Sequence, residues 1–372
     1  MLIGSPKETK DNEYRVGLVP STVRELTAKG HQVIIEAGAG IGAGLSDADY
    51  QAVGAEIVAN ADAVFSRAEM VVKVKEPLAP ERKKLRRGQI LFTYLHLAAD
   101  RAQTDDLIAS GVTAVAYETV TSAQGTLPLL TPMSEVAGRM APQAGARCLE
   151  KENGGRGVLL GGVPGVPPAD VVILGGGVAG THAAIISAGM GATVTVVDRN
   201  PEALRRISHQ LGSRVRTVFS TRDAVETLCR RADLVIGTVL IPGAAAPKLI
   251  TAATVKAMKP GAVIVDVAID QGGCAETSRP TTHSHPTYVV DGVVHYCVAN
   301  IPGAVARTST FALSNCTLPF VLALADGGLR RALGEDVHLR NGLNVHAGAV
   351  TNRAVADALK LKYTPPEAAL QQ

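Results

Sequence analysis

Aromatic residues make up 3% of this chain, and tryptophan is absent. Surfaces that stack bases or sugar rings need aromatic platforms, and there is little material for one here. Charge of one sign is scarce too. The 37 Lys and Arg nearly balance 34 Asp and Glu, a formal net charge of +3. The basic residues are scattered, so no basic stripe points to a nucleic acid. The five cysteines, Cys148, Cys229, Cys274, Cys297 and Cys316, are odd in number, widely spaced and form no C-x-x-C pair. A disulfide framework is not expected; a reduced, cytoplasmic protein is. Met1–Lys10 reaches charge too soon for an apolar leader. Phe311–Ala325 is apolar but carries Asn315 and Pro319. It is shorter than the about 20 residues a bilayer requires, so no membrane partner is expected. His283-x-His285 lies in a Thr/Ser/Pro loop without a Cys or acid at zinc spacing, and no metal is expected there.

What is present is ordinary globular material. At 372 residues, 46% hydrophobic and 19% charged, the chain has enough core for two domains. Its first third alternates short apolar runs with amphipathic ones. Leu2–Ser5, Gln32–Glu36, Met70–Val74, Ile90–Leu95 and Thr113–Tyr117 read as strands; Thr22–Lys29, Ala48–Val53, Asp62–Arg67 and Asp100–Ser110 read as helices. Such alternation predicts a parallel sheet with helices on both faces. A long helix is predicted at Met133–Glu150, started by Pro132. Gly154–Pro168 has no periodicity and reads as a loop. A second alternating set follows, with strands at 171–175, 193–198, 215–219, 234–239 and 262–268. Asp291-Gly292 within Tyr288–Val298 signals a hairpin. Thr308–Ala325 and Ala349–Leu359 read as helices, and no strand is read in the tail. The expectation is an α/β protein with two Rossmann-like domains. Residues 129–304 would form a nucleotide-binding domain inserted into a substrate domain made of 1–128 and 305–372, with long helices linking the two.

The inserted domain opens on a specific motif. The strand VVIL runs into Gly175-x-Gly177-x-x-Gly180, an apolar helix leaves it, and the next strand ends on Asp198. Each glycine has a job: Gly175 for the tight turn, Gly177 for close approach of a pyrophosphate, Gly180 for helix–strand packing. The helix start offers N–H groups to phosphates. A carboxylate at Asp198 accepts from a ribose and repels a 2′-phosphate, which favours NAD over NADP. A relaxed copy, Gly38-x-Gly40-x-x-Ala43, leads into polar Leu45–Asp49 and reads as a glycine loop.

Ligands in open α/β sheets sit beyond the carboxyl ends of strands. In the first third those ends deliver Lys75, His96 and Glu118; in the inserted domain Ala262–Ala268 leads to Asp270. A His near neutrality can pass protons, and a Lys can bind a carboxylate or form a Schiff base. Ser134 could cap its helix or meet the cofactor, and His182 falls in the helix after Gly180. His31, His209, His295, His338 and His346 show no recognisable partner and read as ordinary polar positions.

Longer segments carry a resemblance: IGSPKETKDNEYRVGLVP (3–20), VKVKEP (72–77), LFTYLHLA (91–98), TPMSEVAGRM (131–140), GGRGVLLGGVPGVPPA (154–169), VIVDVAIDQGGC (263–274), SRPTTH (278–283) and HYCVANIPGAVARTST (295–310). Through them the chain resembles the bacterial L-alanine dehydrogenases over nearly its whole length, fading after about residue 330. The resemblance implies reversible oxidative deamination of L-alanine to pyruvate and ammonia with NAD, by a homohexamer. It implies Arg15 and Lys75 on the substrate carboxylate, Tyr94 and Met133 around a small side chain, and His96 and Asp270 as catalytic residues. It implies cofactor contacts from Ser134, Val178, Asp198, Ser220, Val239, Leu240, Val267, Ala268, Ile269, Arg279, Val298, Ala299, Asn300 and Ile301. Two positions depart. Ala323 and Gly327 stand where some members have a Glu and a His that bind magnesium, so no such metal is expected. His182 stands where the family often has Asn. The alternatives are an NAD-binding transhydrogenase subunit, which shares the fold, and a catalytically silent NAD sensor.

Overall fold

The computed structural model describes residues 1–239 and 246–371. The chain divides into two compact units, Met1–Met133 with Val305–Gln372, and Ser134–Ala304.

The first unit holds β1 (Leu2–Ser5), β2 (Gln32–Glu36), β3 (Glu56–Val58), β4 (Met70–Val72), β5 (Ile90–Thr93) and β6 (Thr113–Ala116). All six run parallel, in the order β6-β5-β4-β1-β2-β3. Strands β4, β5 and β6 are buried along their whole length. That explains their unbroken apolar runs, since both faces of a parallel sheet are covered. Their register aligns Val72 with Phe92 and Phe92 with Val115, so the three strands end along one edge. Each ends earlier than the apolar pattern predicts. Lys75, His96 and Glu118 therefore lie in the connections two or three residues past the last strand residue.

The second unit holds β7 (Asp170–Leu174), β8 (Thr193–Asp198), β9 (Val215–Phe219), β10 (Leu234–Gly237), β11 (Val263–Asp266), β12 (Thr287–Val290) and β13 (Val293–Tyr296). Their order is β12-β13-β11-β10-β7-β8-β9. The sequence order reverses between β7 and β10, the switch point where such sheets open a ligand crevice. β12 and β13 form the expected antiparallel hairpin, with Asp291 at φ 47° and Gly292 at φ 78° in its turn.

The tail differs from expectation. β14 (Leu343–His346) and β15 (Ala349–Val350) extend the first sheet antiparallel beyond β6. The helix read at Ala349–Leu359 begins only at Arg353, where Asn352 caps it through the Val355 N–H. The run read as Thr308–Ala325 is a helix over Ala306–Glu335, broken by Gly328 at φ 65°. By length and composition it is long and apolar enough to cross a membrane, so the argument from shortness does not hold. Its inward hydroxyls pack instead within the first unit. Ser314 Oγ meets Thr22 Oγ1 at 2.8 Å, and Thr310 Oγ1 accepts the Val16 N–H at 3.4 Å.

Candidate active site

In the first unit, buried carboxylates hold the predicted substrate residues. Arg15 is 2% exposed. Glu13 grips one edge of its guanidinium, Nε at 2.7 Å and Nη2 at 2.6 Å. A fork of this kind fixes a planar cation in direction as well as place. Nη1 lies 3.1 Å from the Met133 sulfur, so Arg15 and Met133 are in contact. Arg15 and Glu13 are both buried, and either left alone would be a stranded charge.

His96 sits at φ 52°, a left-handed conformation that few non-glycine residues adopt. Glu118 stabilises this turn. Its Oε1 accepts the His96 N–H at 2.6 Å, and both oxygens accept the Leu95 N–H at 3.2 Å. The same Oε1 is 4.0 Å from the imidazole Nδ1. Tyr94 lies flat against the imidazole, with ring centres 5.9 Å apart and planes 4° apart. The Tyr94 hydroxyl is committed to the Leu129 carbonyl, and Tyr117 packs edge-on against its ring at 5.0 Å. Burial pushes the Tyr94 phenol up, against a smaller pull from Arg15. Tyr94 thus stays protonated. The imidazole is exposed, with a side chain 51% accessible, and so is free to meet a small molecule.

Lys75 is partly buried. Its N–H donates to Glu8 Oε1 at 3.3 Å and its carbonyl accepts from Thr93 Oγ1 at 2.9 Å. Behind it the Lys73 ammonium is fully buried between Glu8 and Glu81, at 3.0 and 2.8 Å. Burial opposes that charge, but the two carboxylates outweigh it and hold the amine above its usual range.

In the second unit the three glycines behave differently from one another. Gly175 has φ 106° and needs to be glycine for its backbone. A Cβ on Gly180 would lie 1.8 Å from the Gly175 carbonyl oxygen, whereas one on Gly177 would meet nothing within 4 Å. Gly177 caps the helix Val178–Gly189 without a side-chain bond, which leaves its first turn open to an anion. Thr238, just past β10, donates to the Leu174 and Gly175 carbonyls at 3.0 Å each and closes the switch point beneath the loop. Asp198 accepts the Gly176 N–H at 2.5 Å and the Asn200 N–H at 2.7 Å. Arg206 donates to the Gly176 carbonyl at 2.7 Å. Ser220 follows β9, its N–H on the Asp198 carbonyl at 3.0 Å. Val239 follows Thr238; Leu240 lies outside the described residues.

Asp270 is exposed in the short helix Val267–Gln271, past the end of β11 rather than at it. That turn, with Val267, Ala268 and Ile269, is shaped by buried Asp266. Its carboxylate accepts from the N–H groups of Ala268 (3.2 Å) and Cys274 (2.8 Å) and from Ser278 Oγ (2.6 Å). Arg279 stacks its guanidinium 4.3 Å from the Tyr288 ring centre. The Val298–Ile301 turn is pinned by the Ala299 N–H on the Thr281 carbonyl at 3.1 Å and by His283 Nε2, 3.0 Å from the Asn300 carbonyl. Ser134 falls in the first turn of the helix Thr131–Cys148 rather than at its cap. His182 accepts from Arg139 Nε at 3.0 Å and stands 3.5 Å from Glu135. Among the described residues no cluster of three or more metal-ligating side chains occurs.

Sequence reading missed Glu8, Glu13, Thr238 and Asp266, whose bonds are to backbone or to neighbours that no spacing rule ties to a ligand. It also misjudged several histidines. His295 is fully buried between Thr277 Oγ1 (2.8 Å) and the Val293 carbonyl (3.0 Å), stacked on Tyr288. His338 and His346 each meet a threonine hydroxyl at 2.9 Å, and His31 meets Asp326 at 2.8 Å.

Residues 4–137 match the alanine dehydrogenase/PNT N-terminal domain and residues 141–353 the alanine dehydrogenase/PNT C-terminal domain. The chain is 60% identical over 363 residues to the alanine dehydrogenase of Halomonas elongata, covering 98% of each chain. It is 55% identical over 370 residues to that of Mycobacterium tuberculosis, covering all of both. Among solved structures, an L-alanine dehydrogenase superposes with a TM-score of 0.94 at 55% identity, over 97% of this chain and 99% of that one. A transhydrogenase from Sinorhizobium meliloti follows at 0.83 and 26% identity, over 94% and 100%. With both domain models matched in order and relatives aligned end to end, the chain belongs to the alanine dehydrogenase/PNT family.

Proposed function

We propose that this chain is an NAD-dependent L-alanine dehydrogenase, interconverting L-alanine with pyruvate and ammonia. The observation that carries the reading is the first unit's edge: a buried, carboxylate-oriented Arg15 against Met133, and an exposed His96 held in a left-handed turn. That edge suits a small carboxylate whose reacting carbon exchanges protons. The first unit, by this reading, is the substrate domain and the second the NAD domain.

The second unit fits NAD. An uncapped helix start and the open side of Gly177 suit a pyrophosphate, and the Asp198 carboxylate suits a ribose diol. Val178, Ser220, Val239, Leu240, Arg279, Ser134 and the Val267–Asp270 and Val298–Ile301 turns are assigned to the rest of the cofactor. Bound NAD supplies the hydride acceptor. Arg15 and Lys75 hold the substrate carboxylate. Met133 and Tyr94 restrict the side chain to a methyl-sized group. Loss of hydride from the α-carbon of the neutral amine leaves an iminium ion. Water adds to its carbon, and His96 and Asp270 move the protons that let the amino group of the resulting carbinolamine depart as ammonia and the hydroxyl collapse to the ketone.

Only the neutral amine of alanine can lose hydride, so kcat/KM for alanine rises with pH from neutral to alkaline; a flat profile under substrate-limited conditions would contradict this. Asp198→Ser should lower the NAD/NADP preference by about tenfold or more, ~1.4 kcal/mol, read as the ratio of kcat/KM values. The direct test is NADH absorbance with alanine, with pyruvate plus ammonium, or with a second nucleotide. NADH made from alanine alone supports the dehydrogenase. Hydride exchange between nucleotides would favour a transhydrogenase subunit, and no reaction a sensor. A homohexamer without a resident metal, in the cytoplasm, completes the reading; sedimentation of the purified protein tests the assembly.

A further inference from the structure

The buried ions behind Lys75 take no part in the chemistry above. β4 ends at Val72, and the next three residues carry no regular structure. Their backbone groups are nonetheless satisfied, as buried amides must be. The Lys73 carbonyl accepts from the Tyr117 hydroxyl at 2.9 Å and the Lys75 carbonyl from Thr93 Oγ1 at 2.9 Å. The Val74 carbonyl accepts from the Tyr94 N–H at 3.2 Å. The N–H groups of Val74 and Lys75 both go to one atom, Glu8 Oε1, at 2.7 and 3.3 Å.

We propose that Glu8 is a positioning residue for Lys75: its carboxylate, fixed by Lys73, sets the backbone from which the Lys75 ammonium reaches the substrate carboxylate. The proposal rests on the assignment of Lys75 made above. Glu8 comes from the connection after β1, so its side chain ties that connection to the end of β4. Lys73 aims it by binding the other oxygen, Oε2, at 3.0 Å. Lys73 also binds Glu81 Oε1 at 2.8 Å, while Glu81 Oε2 accepts the Leu78 N–H at 2.8 Å, at the start of the short helix Ala79–Arg82. One ammonium thereby locks both flanks of the segment that carries Lys75.

Stability alone does not account for this cluster. Buried ion groups are often no better than well-packed apolar side chains of similar volume. What an apolar side chain at position 8 could not do is accept two amides and fix their direction. Those amides belong to Lys75 and the residue before it.

The test uses the full-length enzyme with Glu8→Gln, Glu8→Ala, Lys75→Met, Glu8→Ala/Lys75→Met and Glu8→Gln/Lys75→Met. Glu8→Ala should raise KM for alanine and for pyruvate together by about tenfold, with kcat much less changed, the signature of lost substrate binding. Glu8→Gln keeps an oxygen for the two amides and should recover part of that loss. NADH affinity, read by fluorescence titration, should match the parent in each variant. In the Lys75→Met background, Glu8→Ala should add far less than it does alone, because the two act through one contact. A merely structural Glu8 would lower the folded fraction and leave KM unchanged in what remains. Parental KM in folded Glu8→Ala overturns the proposal; if Glu8→Ala does not fold, parental KM in Glu8→Gln together with full additivity of Glu8→Gln and Lys75→Met overturns it instead. Parental KM in Lys75→Met would instead sink the assignment of Lys75 itself.

Discussion

Replacing His96 with alanine lowers alanine-dependent NADH formation by about two to four powers of ten, the usual worth of a positioned proton-transfer group. The surroundings support a loss of that kind rather than of fold. The imidazole is exposed, so its removal opens no core cavity. The turn that carries it is held through its backbone by Glu118, and that contact survives any side chain at position 96. NADH affinity should therefore be unchanged in a fluorescence titration. His96→Asn provides the control. Asparagine tolerates a left-handed backbone better than most residues, so it preserves the turn at φ 52° without the proton chemistry. If His96 moves protons, the alanine and asparagine variants lose turnover alike, in both directions. Near-parental turnover in either variant would remove His96 from the mechanism.

The features legible in the sequence share a cause: they are local. The Gly175–Gly180 fingerprint, the Asp291-Gly292 turn and the apolar runs of β4, β5 and β6 are set by φ angles and by burial on both faces, and composition reports both. The features that were not legible are made by pairing across distance. β14 and β15 are too short to show a period of their own and exist because β6 offers them an edge. His295 looked solitary because its hydroxyl partner, Thr277, lies 18 residues away. The site divides in the same way. The groups assigned to chemistry, Lys75 and His96, could be found by counting from strand ends. The carboxylates that aim them could not. Glu8 reaches across 66 residues to the Val74 amide and Glu118 across 22 to that of His96. Glu13 lies only two residues before Arg15, yet nothing in that spacing reveals a buried fork.

The same contrast between local rule and distant contact governs the fingerprint glycines, and two substitutions separate them. Gly180→Ala should destabilise the second unit and abolish NADH binding. Its Cβ would stand 1.8 Å from the Gly175 carbonyl oxygen and 2.8 Å from Thr238 Oγ1. The first of these is backbone, and Thr238 is itself tied to two carbonyls, so neither can yield cheaply. Overpacking of this sort costs about 1–3 kcal/mol or more, which in a unit of this size lowers Tm by at least ~2–4 °C per kcal/mol. Gly177→Ala should do the opposite. Its backbone, at φ −73° and ψ −163°, suits any residue, and the added methyl group meets no protein atom within 4 Å. The parent Tm should persist while NADH affinity falls by about tenfold or more, because the methyl occupies the space through which a pyrophosphate approaches the helix start. Calorimetry and NADH titration on the two variants give four values. Loss of affinity at 177 with no loss of stability would locate the phosphate on that face of the loop. Parental affinity in Gly177→Ala would place the cofactor elsewhere, and with it would fall the assignment of Asp198 to the ribose.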